Sequence, residues 1–283
     1  MDLQPPGSSL VTPDWLAERL HHPDLVVLDA SVGAHRGAAE RIPGARVFDI
    51  DGTMSDTTSP LPHTMPDLNA FARSLRALGL HDHSVVVAYD AAGLYSSARA
   101  WWMLRVAGFD RAAVLDGGLP AWKAGGLGCE PASASTVPTA AGDFIAKPRP
   151  ELLADSVTVT AALSDGASAV LDARSRERYA GQVTEPRPGL RRGHMPGAVN
   201  LPFTDLQVDG RMRASDELHA LFSAAAGPRE RLVFSCGSGV TACVLALGAD
   251  LAGYHDLAVY DGSWSEWGLP SDFPVETTDL AIS

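Results

Sequence analysis

Cysteine is scarce in this sequence. Its three copies among 283 residues, Cys129, Cys236 and Cys243, form no Cys-x-x-Cys pair, which argues against both a disulfide framework and a thiolate zinc site. Free thiols, no bound metal and no organic cofactor are the expectation. Long apolar runs are also missing: none approaches the roughly 18 residues needed to span a bilayer. The opening MDLQPPGSSL has neither the basic start nor the apolar stretch of a signal peptide. A cytoplasmic protein with no membrane partner is therefore expected. Basic side chains are in deficit, 22 Lys and Arg against 34 Asp and Glu, for a formal charge of −12. That balance excludes a general attraction to nucleic acid or anionic lipid, so an anionic substrate would need a local basic pocket. Apolar and charged contents of 46% and 20% are ordinary for a soluble globular protein, and the length suggests two domains.

The sequence repeats itself. LVVLDAS (25–31) matches AVLDARS (169–175), RIPGARV (41–47) matches HMPGAVN (194–200), VVVAYDAAGLYSSARA (85–100) lies over RLVFSCGSGVTACVLA (231–246), and VLDGGLPAW (114–122) over VYDGSWSEW (259–267). The four landmarks keep their order at a displacement of roughly 145 residues, which reads as a duplicated domain and not as a solenoid of short repeats. Apolar, β-branched runs at Val26–Leu28, Val85–Ala88, Val114–Leu115, Val170–Leu171, Leu232–Phe234 and Leu257–Tyr260 alternate with helix-like stretches. The predicted class is α/β, each copy a largely parallel sheet flanked by helices. Helices are expected over Pro66–Leu78, with Leu68, Phe71, Leu75 and Leu78 as its stripe, and over Val240–Leu251, with Val240, Val244, Leu247 and Leu251 on one face. The predicted domains span 10–129 and 157–275. The Pro-, Ala-, Ser- and Thr-rich stretch 130–156 reads as a linker in which Phe144 and Ile145 could dock.

Cys236 falls where a parallel strand ends and a helix begins, the place where ligand sites of open α/β sheets gather. Gly237 and Gly239 permit positive φ and a close approach, so that successive N–H groups can form an anion-accepting nest at the positive end of a helix. Such surroundings favour a thiolate and would stabilise a persulfide on it. The first copy has Asp90 in the cysteine position, with Ala91 and Ala92 for Gly237 and Ser238. A carboxylate cannot carry a transferable sulfur, so the second copy is expected to be the active one. Cys243, beside Val244 on the following helix, reads as core packing.

With the duplication, the Asp-for-Cys exchange and the motif CGSGVT, the chain resembles the tandem rhodanese-like sulfurtransferases, most closely those that use 3-mercaptopyruvate. The resemblance runs from about Val11 to Trp267. Thiosulfate-preferring members carry basic side chains just after the cysteine, whereas Gly237, Ser238 and Gly239 offer none. The resemblance implies transfer of a sulfane sulfur from 3-mercaptopyruvate to a thiol or cyanide acceptor through a Cys236 persulfide, with release of pyruvate. In DARSRERYAGQVTEPRPGLRRGHMPGA (172–198) it assigns Arg178 and Arg187 to the substrate carboxylate, a group the planar guanidinium fork holds well. The neighbouring Arg174, Arg176, Arg191 and Arg192 read as solvated loop charge. The resemblance further implies a Ser-His-Asp arrangement of Ser238, His63 and Asp51, with Asp49 and Asp56 as competitors for the last role. Amides of Gly237, Gly239, Val240 and Thr241 would complete the substrate cradle. The implied partners are a small-molecule donor and an acceptor such as a small thiol, thioredoxin or a sulfur-carrier cysteine.

Three other readings stay open. A thiosulfate:cyanide sulfurtransferase would use the same chemistry with another donor. A cysteine phosphatase needs Cys-x5-Arg, and the required arginine position is Ala242. A non-catalytic redox module would only oxidise and reduce Cys236.

Overall fold

The Val- and Leu-rich runs become the strands of two parallel sheets. The computed structural model describes residues 3–133 and 140–278. The chain divides into a first unit of Met1–Thr58, Met65–Pro150 and Asp209–Met212, and a second of Ser59–Thr64, Glu151–Val208 and Arg213–Ser283. Each domain sequence thus lends a short segment to the other unit: Ser59–Thr64 joins the second, Asp209–Met212 the first.

In the first unit the five-stranded sheet runs in the order Leu10–Val11, Ala112–Leu115, Val85–Tyr89, Leu25–Asp29, Arg46–Val47, every pairing parallel. The sheet of the second unit has the same order, Leu153–Ala154, Asp256–Tyr260, Arg231–Ser235, Ser168–Asp172, Val199–Asn200, again all parallel. The duplication therefore holds strand for strand. In both, the middle strand is the one that leads into the Asp90 or Cys236 loop. Val85–Tyr89 is buried throughout, as a central parallel strand covered on both faces must be.

The helices follow local signals. Asp67 accepts hydrogen bonds from the amides of Asn69 and Ala70, so the predicted 66–78 helix begins one residue later than its cap, at Leu68, and runs to Ala77. Phe71 and Leu75 are its buried ridge. The second predicted helix starts at Ala242, not Val240, and ends at Leu251. It is not one-faced as expected: every residue from Ala242 to Ala249 is buried. Leu206 and Phe222 press on Gly248 closely enough that an added Cβ would lie 2.5 and 3.3 Å from them, so this helix is covered on the side away from the sheet too.

Much of the stretch expected to be a linker is fastened down. Glu130–Pro131 pairs antiparallel with Glu40–Arg41, and Leu153–Ala154 is an edge strand of the second sheet, which begins before residue 157. Phe144 is buried edge-on against Phe109 with centroids 5.7 Å apart. Ile145 is 63% exposed and does not dock. The amides of Lys147 and Arg149 donate to the carbonyls of Ala107 and Val106, both at 2.8 Å. Residues 134–139 lie outside the described residues.

Candidate active site

The strand Arg231–Ser235 delivers Cys236 to the carboxyl edge of the second sheet, beside Asp172 at the end of its neighbour. Cys236 is 2% exposed and Ser238 6%. The start of the loop is held by the Ser263–Trp267 helix and the turn before it. Trp264 N donates to the Cys236 carbonyl (3.0 Å), and the amide and hydroxyl of Ser265 both donate to the Gly237 carbonyl (2.9 and 2.6 Å). The Cys236 amide donates to Ser263 Oγ at 3.2 Å. With these carbonyls drawn toward the Ser263–Trp267 helix, the amides from Gly237 to Thr241 donate to no acceptor among the described residues. A run of unoccupied donors at a strand-to-helix turn is an anion cradle.

The first unit supplies an internal control. There the Asp90 carboxylate fills its own loop: Oδ2 accepts from the amides of Tyr95, Ser96 and Ser97 and from Ser97 Oγ, all at 2.8–2.9 Å, and Oδ1 accepts from Ala92 N at 3.0 Å. Leu119 N donates to the Asp90 carbonyl at 3.0 Å, as Trp264 N does to that of Cys236. The same backbone device thus holds negative charge where the side chain provides it.

Of the two loop glycines, only Gly239 adopts a left-handed φ, +77°. Gly237 has no positive φ; a Cβ there would stand 3.0 Å from Arg178 Nη2, close contact with the tip of that side chain. Arg178 therefore lies against the cysteine loop. It rises from the Arg176–Ala180 helix, capped by Ser175, and two of its nitrogens bond Glu185: Nε to Oε1 at 3.2 Å and Nη2 to Oε2 at 2.5 Å. Arg187 is half-buried and forms no hydrogen bond or ion pair among the described residues.

His63 belongs to the second unit through the Ser59–Thr64 segment, and its Nδ1 lies 2.9 Å from Ser238 Oγ. It holds a left-handed φ of +62°, rare for a side-chain-bearing residue. Asp51, in the first unit, accepts from Gly33 N at 2.8 Å and lies 3.5 Å from Arg36 Nη1. Its competitors are placed differently: Asp49 pairs with Arg36 at 2.9 Å, and Asp56 caps a turn through Thr58 N and Oγ1. Val240 and Thr241 are buried in the loop and begin the turn into the helix through their carbonyls. Cys243 is fully buried, with its thiol donating to the Gly239 carbonyl at 3.2 Å.

One arginine departs from expectation. Arg174 is not solvated loop charge: its side chain is 0% exposed, stacked 4.1 Å over Trp264, with Nε and Nη2 on Asp172, Nη1 on Glu185 and Nη2 also on the Gly193 carbonyl. Burial opposes its charge, and the carboxylates of Asp172 and Glu185 outweigh that, raising its pKa above the ordinary value. Arg191 is likewise structural, bonding the carbonyls of Trp267 and Phe273 at 2.8 Å. Arg176 does sit outside, paired with Asp205 at 2.5 Å. Sequence reasoning missed Glu185, Arg174 and Ser263. The repeat held a signal for the last, because Ser263 stands where the first copy has Gly118.

Two duplicated α/β domains, one with a cysteine in the loop after its middle strand and the other with an aspartate there, define a class of tandem-domain proteins with one cysteine-bearing loop. The chain belongs to the rhodanese-like family: the Rhodanese-like domain model matches residues 12–125 and again 157–269. It is 40% identical over 273 residues to the 3-mercaptopyruvate sulfurtransferase of Escherichia coli, covering 93% of this chain and 96% of that one. It is 41% identical over 275 residues to the human protein of that name, covering 92% and 91%. The crystal structure of the Escherichia coli 3-mercaptopyruvate sulfotransferase SseA superposes with a TM-score of 0.80 at 37% identity, covering 92% of this chain and all of that one. No helix among the described residues is long and apolar enough to cross a membrane.

Proposed function

We propose that this chain is a sulfurtransferase that takes the thiol sulfur of 3-mercaptopyruvate, holds it as a sulfane sulfur on Cys236 and passes it to a thiol or to cyanide. The observation that carries this reading is the contrast between the two cradles: Asp90 saturates one with its own carboxylate, whereas Cys236 leaves the amides of the other open for charge on or beside its sulfur.

In this reading Arg178 and Arg187 hold the donor carboxylate, so that its thiol sulfur lies against Cys236 and the encounter becomes a positioned reaction. The Cys236 thiolate attacks that sulfur. The new S–S bond forms as the C–S bond breaks, and the electron pair leaves with carbon as the enolate of pyruvate. Amides of Gly237, Gly239, Val240 and Thr241 and the Ser238 hydroxyl meet the developing charge. Ser238 delivers the proton that completes pyruvate and is resupplied by His63, with Asp51 as the acidic member of the relay. An acceptor thiolate then attacks the outer sulfur, leaves as its own persulfide and returns Cys236 as a thiolate, a ping-pong cycle. Acceptors of suitable chemistry are a small thiol, thioredoxin or a sulfur-carrier cysteine. The free thiols of the chain suit the cytoplasm, where we place the reaction.

The test is pyruvate release from 3-mercaptopyruvate, followed together with sulfur bound to Cys236 by mass spectrometry. Cys236→Ser is expected to lower kcat by at least about 10³-fold and to abolish the adduct. Arg178→Ala and Arg187→Ala are expected to raise KM for 3-mercaptopyruvate by about 10- to 100-fold, the size of a charge-assisted hydrogen bond. A wild-type protein that releases no pyruvate, or that prefers thiosulfate, would overturn the assignment.

A further inference from the structure

The second copy is longer than the first between two of their shared landmarks. His194 lies 22 positions beyond Asp172, whereas Arg41, its counterpart, lies 12 beyond Asp29. The additional chain makes the loop 181–193, which carries Arg187. Pro186 has a fixed φ and Pro188 restricts the residue before it, so the arginine has little backbone freedom of its own. Its half-buried side chain meets no hydrogen-bond or ion-pair partner among the described residues. Where its guanidinium stands is therefore set by how the loop is fastened. Glu185 anchors the approach to Arg187 through Arg174 and Arg178.

The return of the loop and its base are fastened by the C-terminal stretch. The Arg191 amide donates to the Gly268 carbonyl at 2.7 Å, and Arg191 Nη1 to that of Phe273 at 2.8 Å. His194 and Glu276 exchange backbone hydrogen bonds of 2.8 and 3.0 Å, and Thr278 N donates to the Ala180 carbonyl at 3.1 Å. The two ends of the loop meet against this stretch: a Cβ on Gly181 would lie 2.8 Å from Thr277 Cγ2 and 3.1 Å from Gly193 N, and one on Gly193 would lie 2.1 Å from the Glu276 carbonyl oxygen. Leu190 of the loop and Phe273 and Val275 of the stretch pack on one apolar cluster. The first copy has the same fastening, Glu130–Pro131 against Glu40–Arg41, around its shorter connection.

We infer that residues 268–278 are a strap that positions Arg187: by closing the base of the loop 181–193, the strap fixes where the guanidinium meets the carboxylate of the donor. This inference rests on the sulfurtransferase reading above. Glu276 touches neither donor nor reacting sulfur in this account and acts through Arg187. Its side chain is exposed, so a substitution there disturbs the backbone bridge without opening the core.

The decisive measurement is a double-mutant cycle on the KM for 3-mercaptopyruvate with Glu276→Pro and Arg187→Ala. Proline removes the amide that donates to the His194 carbonyl and sets a ring carbon in its place. Glu276→Pro is expected to raise KM about 3- to 10-fold, the worth of one backbone hydrogen bond, with kcat within about twofold of the wild type. In the Arg187→Ala background the same substitution is expected to change KM by less than about twofold, because the group it would misplace is gone. A purely structural role predicts otherwise: a lower folded fraction depresses kcat and leaves KM unmoved. That result, or an equal rise of KM in both backgrounds, would overturn the inference. A chain ended at Val275, which removes the bridge altogether, decides the matter by the same cycle even if Glu276→Pro does not fold. Failure of the underlying reading is distinguishable, because it shows as a wild-type protein without 3-mercaptopyruvate activity or as an Arg187→Ala variant with the wild-type KM.

Discussion

Behind each loop the chain makes a left-handed turn, at Gly118 (φ +53°) in the first unit and at Ser263 (φ +49°) in the second. Glycine is needed at 118, since a Cβ would lie 2.4 Å from the Asp90 carbonyl oxygen and 2.3 Å from that of Gly93. Ser263 occupies the corresponding place at a conformational cost of about 1–2 kcal/mol. Its hydroxyl offsets that cost by bridging two backbone groups, accepting from Cys236 N and donating to the Tyr260 carbonyl at 2.8 Å. The serine therefore pins Cys236, the residue proposed to carry the transferred sulfur. Ser263→Ala keeps the strain and removes the bridge, so it is expected to lose about 1–3 kcal/mol. Ser263→Gly removes both and should recover about 1 kcal/mol of that loss. Urea unfolding of the two variants separates the contributions, and a Ser263→Ala midpoint equal to that of the wild type would refute the pinning role.

Elements were legible where a local pattern decides them and obscure where a loop path does. The stripe of Leu68, Phe71 and Leu75 marked its helix in the sequence, and the Asp67 cap, a contact within three residues, sets the start at Leu68 and not at Pro66. The helix Ala242–Leu251 looked one-faced when only Val and Leu were counted, yet ACVLALGA has no polar side to offer, and Leu206 and Phe222 cover what the sheet does not. The fate of the Arg-rich stretch was illegible for another reason. Which arginine is buried depends on how residues 181–193 fold back, and that path brings Glu185 between Arg174 and Arg178. The result ties the strand Ser168–Asp172, the loop at Glu185 and Gly193 and, by stacking, the helix Ser263–Trp267 to one guanidinium. Arg174→Met fills the space without the charge and leaves the buried carboxylate of Asp172 unmatched. It is expected to destabilise the protein by about 3–5 kcal/mol, read as a shift in the denaturant midpoint. Arg174→Lys should recover little of the loss, since one ammonium cannot reproduce a fork that serves Asp172, Glu185 and Gly193 together.

For the whole molecule, four repeated landmarks sufficed to predict two domains of one topology, because strand order is inherited with the copy, and both sheets show that order. The pairing of His63 with Ser238 came instead from a family motif, as 175 residues separate them and no periodicity connects positions so distant. What duplication left to each copy is a cradle with a different occupant, and this divides the labour of the chain. Asp90 satisfies amides of its loop with a buried carboxylate and so serves stability, whereas the amides that follow Cys236 meet no acceptor among the described residues, which suits the chemistry proposed for that loop. Asp90→Ala strands the Ala92, Tyr95, Ser96 and Ser97 amides away from their acceptor. At about 1–3 kcal/mol for a buried group left unpaired, the loss should be at least about 3 kcal/mol. Asp90→Asn, which keeps one acceptor oxygen, should fall between that variant and the wild type. Calorimetry measures the ordering, and mass spectrometry of the folded Asp90 variants after exposure to donor measures the other half of the claim: one added sulfur atom per chain, on Cys236, as in the wild type. A cradle whose carboxylate can be deleted without loss of stability would mean that the first copy owes nothing to its aspartate, and the contrast between the two loops would lose its physical basis.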